Sequence, residues 1–310
     1  MIITVTMNPA IDKSIDIGKF EHGGLNRIRH MEMDAGGKGI NVSKTIQALG
    51  GKSLATGFLA GNTGDMIARV LKQNDIDHDF IYVSGETRTN TKVVEEGGIV
   101  TELNEPGPDI TPAQLQQLVD KLENLADEDT LLVLAGSVPA KVEKTIYRDI
   151  IERVHKKGAK VLLDADGELF VHALEAGPDL IKPNRVELEE LFHTEVNVSE
   201  EELVKMGRKL LDKGIELIAI SMGGQGALFL TRDKIFKGEG LSVKAHSTVG
   251  AGDAMVAALS YGTDMGMSVD EIAKLAMAVS AGAVTTIGTK PPTRELVDEL
   301  EKQVVLKEFY

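Results

Sequence analysis

The chain has 310 residues, enough for one large α/β domain with an appendage or for two average domains. Its 34 Lys and Arg against 48 Asp and Glu give a formal net charge of −14, and aromatics are only 4% with no Trp, which excludes the cationic footprint and stacking surface of a nucleic-acid binder. Zero Cys excludes disulfides, thiolate metal sites and cysteine nucleophiles and suits a reducing cytoplasm, and no apolar run approaches the roughly 18 residues of a membrane span.

Residues 1–7, Met-Ile-Ile-Thr-Val-Thr-Met, read as a strand ahead of Asn8-Pro9 and lack the basic flank of a signal peptide. Segments 12–29 and 89–103 alternate like short strands, the second folding back at Gly97-Gly98, with helix-forming stretches at 38–49 and 63–73 between them. This pattern predicts a small sheet standing off the main body, a lid made by inserted segments 12–34 and 89–104 of a single domain spanning 1–310. Farther on, strands at 131–135, 160–164, 180–182 and 216–221 alternate with helices at 141–157, 169–175, 186–192 and 199–213, and helices at 251–265 and 269–286 close the core. Such alternation predicts a mostly parallel sheet with helices on both faces, its ligands gathered at the C-terminal strand ends.

Four local patterns carry chemistry. In Ser247-Thr248-Val249-Gly250-Ala251-Gly252-Asp253, small residues run straight into a helix, where free N–H groups and the helix dipole make an anion site; Asp253 either serves that site or merely favours the dipole. A second glycine turn, Ala35-Gly36-Gly37-Lys38-Gly39-Ile40-Asn41, lets backbone approach a polyol with Lys38 and Asn41 as donors, or is a plain connection with a solvated lysine. Asp12, after the first strand, can orient adjacent hydroxyls or sit in a turn. Asn184 and Glu187, one helical turn apart in Lys182-Pro183-Asn184-Arg185-Val186-Glu187, can hold water around Mg²⁺ or form a capping box.

Other positions are less specific. Ser221-Met222-Gly223-Gly224-Gln225-Gly226 is a nucleotide-contacting turn or a hairpin loop. Arg27 and Arg88, beside the lid segments, are candidates for a substrate phosphate, because a guanidinium matches two phosphate oxygens. A phosphate P-loop fails at Ile46, where the pattern ending Gly51-Lys52-Ser53 needs glycine, and no Gly-x-Gly-x-x-Gly occurs. The seven His show no metal-ligand spacing.

Together, Asn8-Pro9-Ala10-Ile11-Asp12, the 36–41 turn, Lys182-Pro183-Asn184 with Glu187, and Thr248-Val249-Gly250-Ala251-Gly252-Asp253 resemble the ribokinase-like (PfkB) carbohydrate kinases, in the family's order and across nearly the whole chain. Gly-Gly-Leu-Asn-Arg at 23–27, Gly-Glu-Thr-Arg-Thr-Asn at 85–90 and Ala-Gly-Ser-Val-Pro at 135–139 are most similar to its hexose-phosphate branch. The resemblance implies a three-layer αβα sandwich with a β-sheet lid. It implies ATP-dependent, Mg²⁺-assisted phosphorylation of a ketohexose monophosphate: fructose 1-phosphate first, tagatose 6-phosphate or fructose 6-phosphate as alternatives. From another class, a non-catalytic sugar-phosphate sensor stays open.

By the same resemblance, Asp253 is the base and Gly250, Ala251 and Gly252 the anion hole; Asp12, Gly36, Gly37, Lys38 and Asn41 hold the sugar, and Arg27, Arg88 and Ser137 its phosphate. Lys182, Asn184, Glu187, Ser221, Gly223, Gly226 and Thr248 line the nucleotide side, with Glu187 toward the metal. A cytoplasmic homodimer joined through the lid, with no nucleic acid or membrane partner, completes the expectation. Two positions depart from the family pattern: Asp166 stands where Ser is frequent, and Ala254 follows Asp253. The helix dipole is expected to depress the Asp253 pKa.

Overall fold

The computed structural model describes residues 1–309. Strand β1 (Ile2–Thr6) is buried throughout, and its neighbours are β4 (Ser53–Ala60) and β9 (Leu131–Ala135), both parallel to it. The row continues through β10 (Lys160–Asp164), β11 (Leu180–Ile181) and β12 (Leu217–Ser221), all parallel. It then turns antiparallel through β13 (Ala227–Leu230), β14 (Ile235–Gly238) and β15 (Leu306–Glu308). Short strands β5 (Asp77–His78) and β6 (Ile81–Val83) finish the far edge on β4.

Successive side chains of a strand point to opposite faces, so a sheet covered on both sides needs apolar residues at every position. In β9, Leu132 and Leu134 enter one core while Leu131, Val133 and Ala135 enter the other. The first face is covered by α3 (Pro112–Leu125), α4 (Ile146–His155), α5 (Gly167–Glu175), α6 (Arg185–Leu191) and α7 (Glu200–Leu211), through residues such as Leu118, Ile150, Phe170, Leu188 and Leu203. The second is covered by α1 (Lys38–Ala48), α8 (Ala251–Asp264), α9 (Val269–Ala283) and α10 (Arg294–Glu301), through Ile46, Val256, Val279 and Val297. Helix α2 (Gly61–Gln73) packs Ile67 and Leu71 in a smaller cluster with Ala55 and Leu59 of β4. The result is the expected αβα sandwich.

A separate four-stranded sheet runs β3-β2-β7-β8, made of β2 (Ala10–Asp16), β3 (His30–Gly36), β7 (Arg88–Val94) and β8 (Val100–Asn104). The β7–β8 turn has Gly97 and Gly98 at φ 95° and 82°, the left-handed region that glycine tolerates. Asp12 of β2 lies in register with Asp34 of β3 on one side and Asn90 of β7 on the other.

Several elements differ from expectation. The strand beginning near Asp12 stops at Asp16; residues 18–29 form a turn-rich excursion, where Gly24 N donates to Glu21 O and Asn26 Oδ1 accepts from Glu21 N, and the returning strand is β3. The helix expected at 141–157 starts only at Ile146, because 139–146 are spent on turns, Val142 N to Pro139 O and Ile146 N to Glu143 O, that sink Val142 into the core. Helix α9 ends at Ala283, where Thr285 and Thr286 hydroxyls donate to the Gly282 and Ala283 carbonyls, both at 2.8 Å. Strands β4, β5, β6, β13, β14 and β15 and helices α3 and α10 are additions to the sequence reading, although α3 carries a plain start signal, a Thr111–Gln114 capping box with Pro112 at its first position.

Candidate active site

Helix α8 enters through Gly250, whose φ of 84° and ψ of −10° are left-handed, and no side chain caps its first turn. Thr289 packs beside Gly250, its Cα 3.5 Å from where a Cβ would stand. The first-turn amides of a helix lack carbonyl partners of their own and favour negative charge. Ser280 of α9 braces the turn by donating to Ala251 O at 3.0 Å. Consecutive residues then face different spaces. Ala251 and Gly252 line a cavity of about 340 Å³, whereas Asp253 lines another of about 280 Å³.

The second cavity gathers Asp12, Gly37, Lys38, Asn41, Arg88, Ser137 and Asp253, seven of the positions expected around the sugar and its reacting hydroxyl. Glycine 36 lines neither cavity; a Cβ there would collide with the Asp12 carboxylate, so it makes room for that group. Gly37, at φ 110°, packs against Thr6 and Pro9, so this glycine turn serves close backbone packing on β1. Arg27 is exposed in the 18–29 excursion and lines neither cavity.

Polar atoms in this cavity are unusually unsatisfied. Thr6 Oγ1, Asn8 Oδ1, Asn41 Oδ1, Arg88 Nε and Asn90 Oδ1 are buried without a protein partner, and all five residues line it. Buried polar atoms are nearly always bonded, so such a concentration marks a ligand site. Arg88 gives Nη2 to Asn8 O at 3.0 Å; burial lowers its pKa, and Asp12 opposes that shift. Burial also raises the Asp12 carboxyl above the usual range, against the Asn90 amide that donates to it at 3.2 Å and the charge of Lys92. Asn8 and Asn90 escaped the sequence reading, yet Arg88, Asn90 and Lys92 recur at the two-residue period of one strand face, a signal that could have found Asn90.

Asp253 accepts a hydrogen bond from Asn41 Nδ2 at 2.8 Å. Its carboxyl is pushed up to about 6, first by burial and then by the charge of Asp164, against the Asn41 hydrogen bond, Lys38 and Lys182. The expected depression by the helix dipole is overturned: desolvation and a neighbouring carboxylate outweigh it. Behind Asp253 sits Asp164, at the end of β10 and 1% exposed, between Lys38 and Lys182, each at 3.2 Å. Burial disfavours its charge, but the two ammonium groups overcome this and hold its carboxyl below the usual range. Lys38 is correspondingly raised: burial opposes its charge, and Asp164 and Asp253 prevail. Lys182 Nζ also lies 3.6 Å from where a Gly252 Cβ would stand, beneath the anion-binding turn.

The larger cavity brings Ser221, Gly223, Gly226 and Thr248 together with Ala251 and Gly252, between the β12–β13 loop and helices α8 and α9. The 221–226 segment is indeed a hairpin turn, with Met222 N donating to Gly226 O. Met255, Met277 and Val284 supply an apolar wall. Asn184 and Glu187 form a complete capping box: Glu187 N donates to Asn184 Oδ1 at 2.9 Å and Asn184 N to Glu187 Oε2 at 2.8 Å. Burial raises the Glu187 carboxyl, countered by the Asn184 N–H and Lys182. No group of three His, Asp or Glu side chains able to cage a cation occurs among the described residues. Lys182, Asn184 and Glu187, expected on the nucleotide side, line neither cavity, so a Mg²⁺ between the two would take most of its ligands from phosphate and water, the ordinary arrangement for that ion.

An αβα sandwich with a lid sheet, a polar cavity holding a raised carboxyl and a second cavity across a helix N-terminus define a phosphotransferase of small polyols. The sequence profile of the pfkB family carbohydrate kinases matches residues 5–296, so the chain belongs to that family. It is 38% identical to the 1-phosphofructokinase of Borreliella burgdorferi over 288 residues, covering 93% of this chain and 92% of the relative. It is 36% identical to the 1-phosphofructokinase of Bacillus subtilis over 304 residues, covering 98% of each. The tetrameric inhibited form of phosphofructokinase-2 from Escherichia coli superposes with a TM-score of 0.90 at 26% identity, covering 97% of this chain and 98% of that one.

Proposed function

We propose that the protein transfers the γ-phosphoryl group of ATP to a hydroxyl of a ketohexose monophosphate, fructose 1-phosphate giving the 1,6-bisphosphate. The carrying observation is that consecutive residues of the first turn of α8 divide between the two cavities, Ala251 and Gly252 lining the larger and Asp253 the other. A triphosphate in the larger one ends at the Gly250–Gly252 amides, and a sugar hydroxyl in the other meets the Asp253 carboxylate. As the hydroxyl oxygen attacks the γ-phosphorus, its proton passes to Asp253, the bond to the β,γ-bridging oxygen breaks, and ADP leaves. Such transfers go largely through a loose transition state, so positioning and charge neutralisation dominate. The first-turn amides, Lys38 and Lys182 supply that neutralisation, and an Asp253 pKa near 6 suits a general base.

Asp12, Gly37, Lys38 and Asn41 would seat the sugar, and Arg88 with Ser137 its phosphate. Ser221, Gly223, Gly226 and Thr248 would contact the nucleotide. Mg²⁺, when bound through Glu187 and the nucleotide, would neutralise the β- and γ-phosphate oxygens. Lid residues Met31, Met33, Val100 and Leu103 are exposed apolar side chains, which supports a homodimer joined through lid segments 12–34 and 89–104, with Arg27 carried on its excursion. Both substrates are charged metabolites retained inside cells, which supports a cytoplasmic setting. The deciding experiment is ADP release across fructose 1-phosphate, fructose 6-phosphate, tagatose 6-phosphate and free fructose. Highest kcat/KM for fructose 1-phosphate supports the reading, preference for a 6-phosphate moves it within the family, and no turnover with tight sugar-phosphate binding makes the protein a sensor.

A further inference from the structure

Two buried charged residues, Lys44 and Glu189, lie outside the machinery described so far, and Lys44 is the one that reaches the lid. Lys44 of α1, 8% exposed, gives its ammonium to Asp34 Oδ2 at 2.8 Å and to Ala35 O at 3.0 Å. The same Asp34 oxygen accepts the Thr289 hydroxyl at 3.1 Å. A single carboxylate oxygen of lid strand β3 thus fastens two distant parts of the sandwich. One is α1, whose Asn41 holds Asp253. The other is the loop after α9, where Thr289 abuts Gly250, the left-handed residue that aims the first-turn amides of α8. Across the lid, Asp34 is in register with Asp12, and Thr289 itself reaches the sugar cavity. The loop bearing Thr289 is tied down locally, since the Thr286 hydroxyl, 2.8 Å from Ala283 O, lies 2.6 Å from Lys290 O and shares its one proton between the two carbonyls.

We propose that Thr289 is a positioning residue for phosphoryl transfer: its hydrogen bond to Asp34 couples the seating of the lid strand to the placement of the anion-binding turn at Gly250. A sugar that engages Asp12 pulls on the strand next to β3. Asp34 passes that seating to Thr289, and the amides that neutralise the transferring phosphoryl are aligned only when the lid is in place. A displacement too small to alter binding is enough to slow the chemical step, because rate depends on near-attack alignment. The inference rests on the kinase reading above.

The test compares Thr289→Val, which keeps shape and loses the donor, with Thr289→Ser, which keeps the donor. Expected for Thr289→Val is a kcat about tenfold lower with fructose 1-phosphate, equivalent to about 1.4 kcal/mol, with KM for ATP within twofold of the parent and Thr289→Ser near parental. Hydrogen exchange without ligands, which needs no catalysis, is expected to quicken at 31–36 in Thr289→Val and to stay parental in Thr289→Ser. Parental kcat and exchange in Thr289→Val, or failure of Thr289→Ser to restore them, overturns the coupling. If the parent turns over no sugar phosphate, the kinase reading falls while the exchange comparison still decides whether Thr289 holds the lid strand.

Discussion

Asn41 Nδ2 stands 2.8 Å from Asp253 Oδ2, joining the glycine turn at the start of α1 to the first turn of α8 across 212 residues of sequence. The bond stabilises the charged form of Asp253 against burial and the nearby Asp164, so it sets the pH at which the base becomes available. Asn41→Ala removes the donor and raises the Asp253 pKa further. The acid limb of the kcat/KM profile, expected near 6 in the parent, moves to higher pH, and the rate loss is larger at pH 6 than at pH 8.5.

Replacing Asp253, the proposed base, separates chemistry from binding. Asp253→Asn is expected to lower kcat by roughly 10²- to 10⁴-fold, the range for loss of an acid–base group, with ATP affinity by calorimetry nearly unchanged. Stability moves the other way. The folded-state pKa of about 6 lies above the ordinary 3.8, so the parent loses stability as pH rises from about 4 through 6. Asp253→Asn therefore melts above the parent at pH 8, and the difference closes below pH 4.

Arg88 has no carboxylate bonded to it, and its Nε is unpartnered. A hydrogen bond to a charged group contributes about 1.5–3 kcal/mol. Arg88→Met is thus expected to raise KM for fructose 1-phosphate by about 10- to 150-fold, with little change in KM for ATP. Free fructose, lacking the phosphate, discriminates less between parent and variant, which steady-state kinetics with both sugars would show.

Asp166 occupies the N-cap position of α5 without capping it, and lines the cavity that holds Asp12 and Asp253, the proposed sugar site. A carboxylate there repels an anionic sugar. Asp166→Ser is expected to lower KM for the sugar phosphate about three- to tenfold, a Coulomb energy of about 1 kcal/mol in a well-solvated pocket. The effect shrinks in 0.5 M salt; an unchanged KM at low salt would remove Asp166 from the substrate's field.

The alternation of short β-branched runs with helices is enough to read the parallel half of the sheet, since both faces must be apolar and each strand must be brief. Asp253 and Asn41 stand out in sequence because each lies in the first turn of a helix with a glycine-rich entry, whereas Asp12, read as the residue after the first strand, lies inside lid strand β2 with no glycine beside it in sequence. The Asp164 pair was not. Lys38 and Lys182 lie 126 and 18 residues from it, and nothing local marks an Asp at a strand end as the hub of a buried ion network. The same holds for Asp34 and Thr289, 255 residues apart. The direction of the Asp253 shift also escaped, because a helix dipole is visible in sequence while desolvation depends on what tertiary packing places around the group. The reverse error concerns 18–29, whose apolar residues mimic alternation but whose Gly23, at φ 79°, and Gly24 belong to turns.

The entry to α8 divides its residues between two cavities: Thr248, Ala251 and Gly252 line one, Val249 and Asp253 the other. On the proposed reading, substitutions around Asp12 and Arg88 would retune which carbohydrate is accepted without reaching the methionine-walled chamber, and the converse would hold for nucleotide preference. The fold thereby offers a hinge point for divergence: two half-sites free to drift separately, provided that the Gly252–Asp253 junction stays fixed.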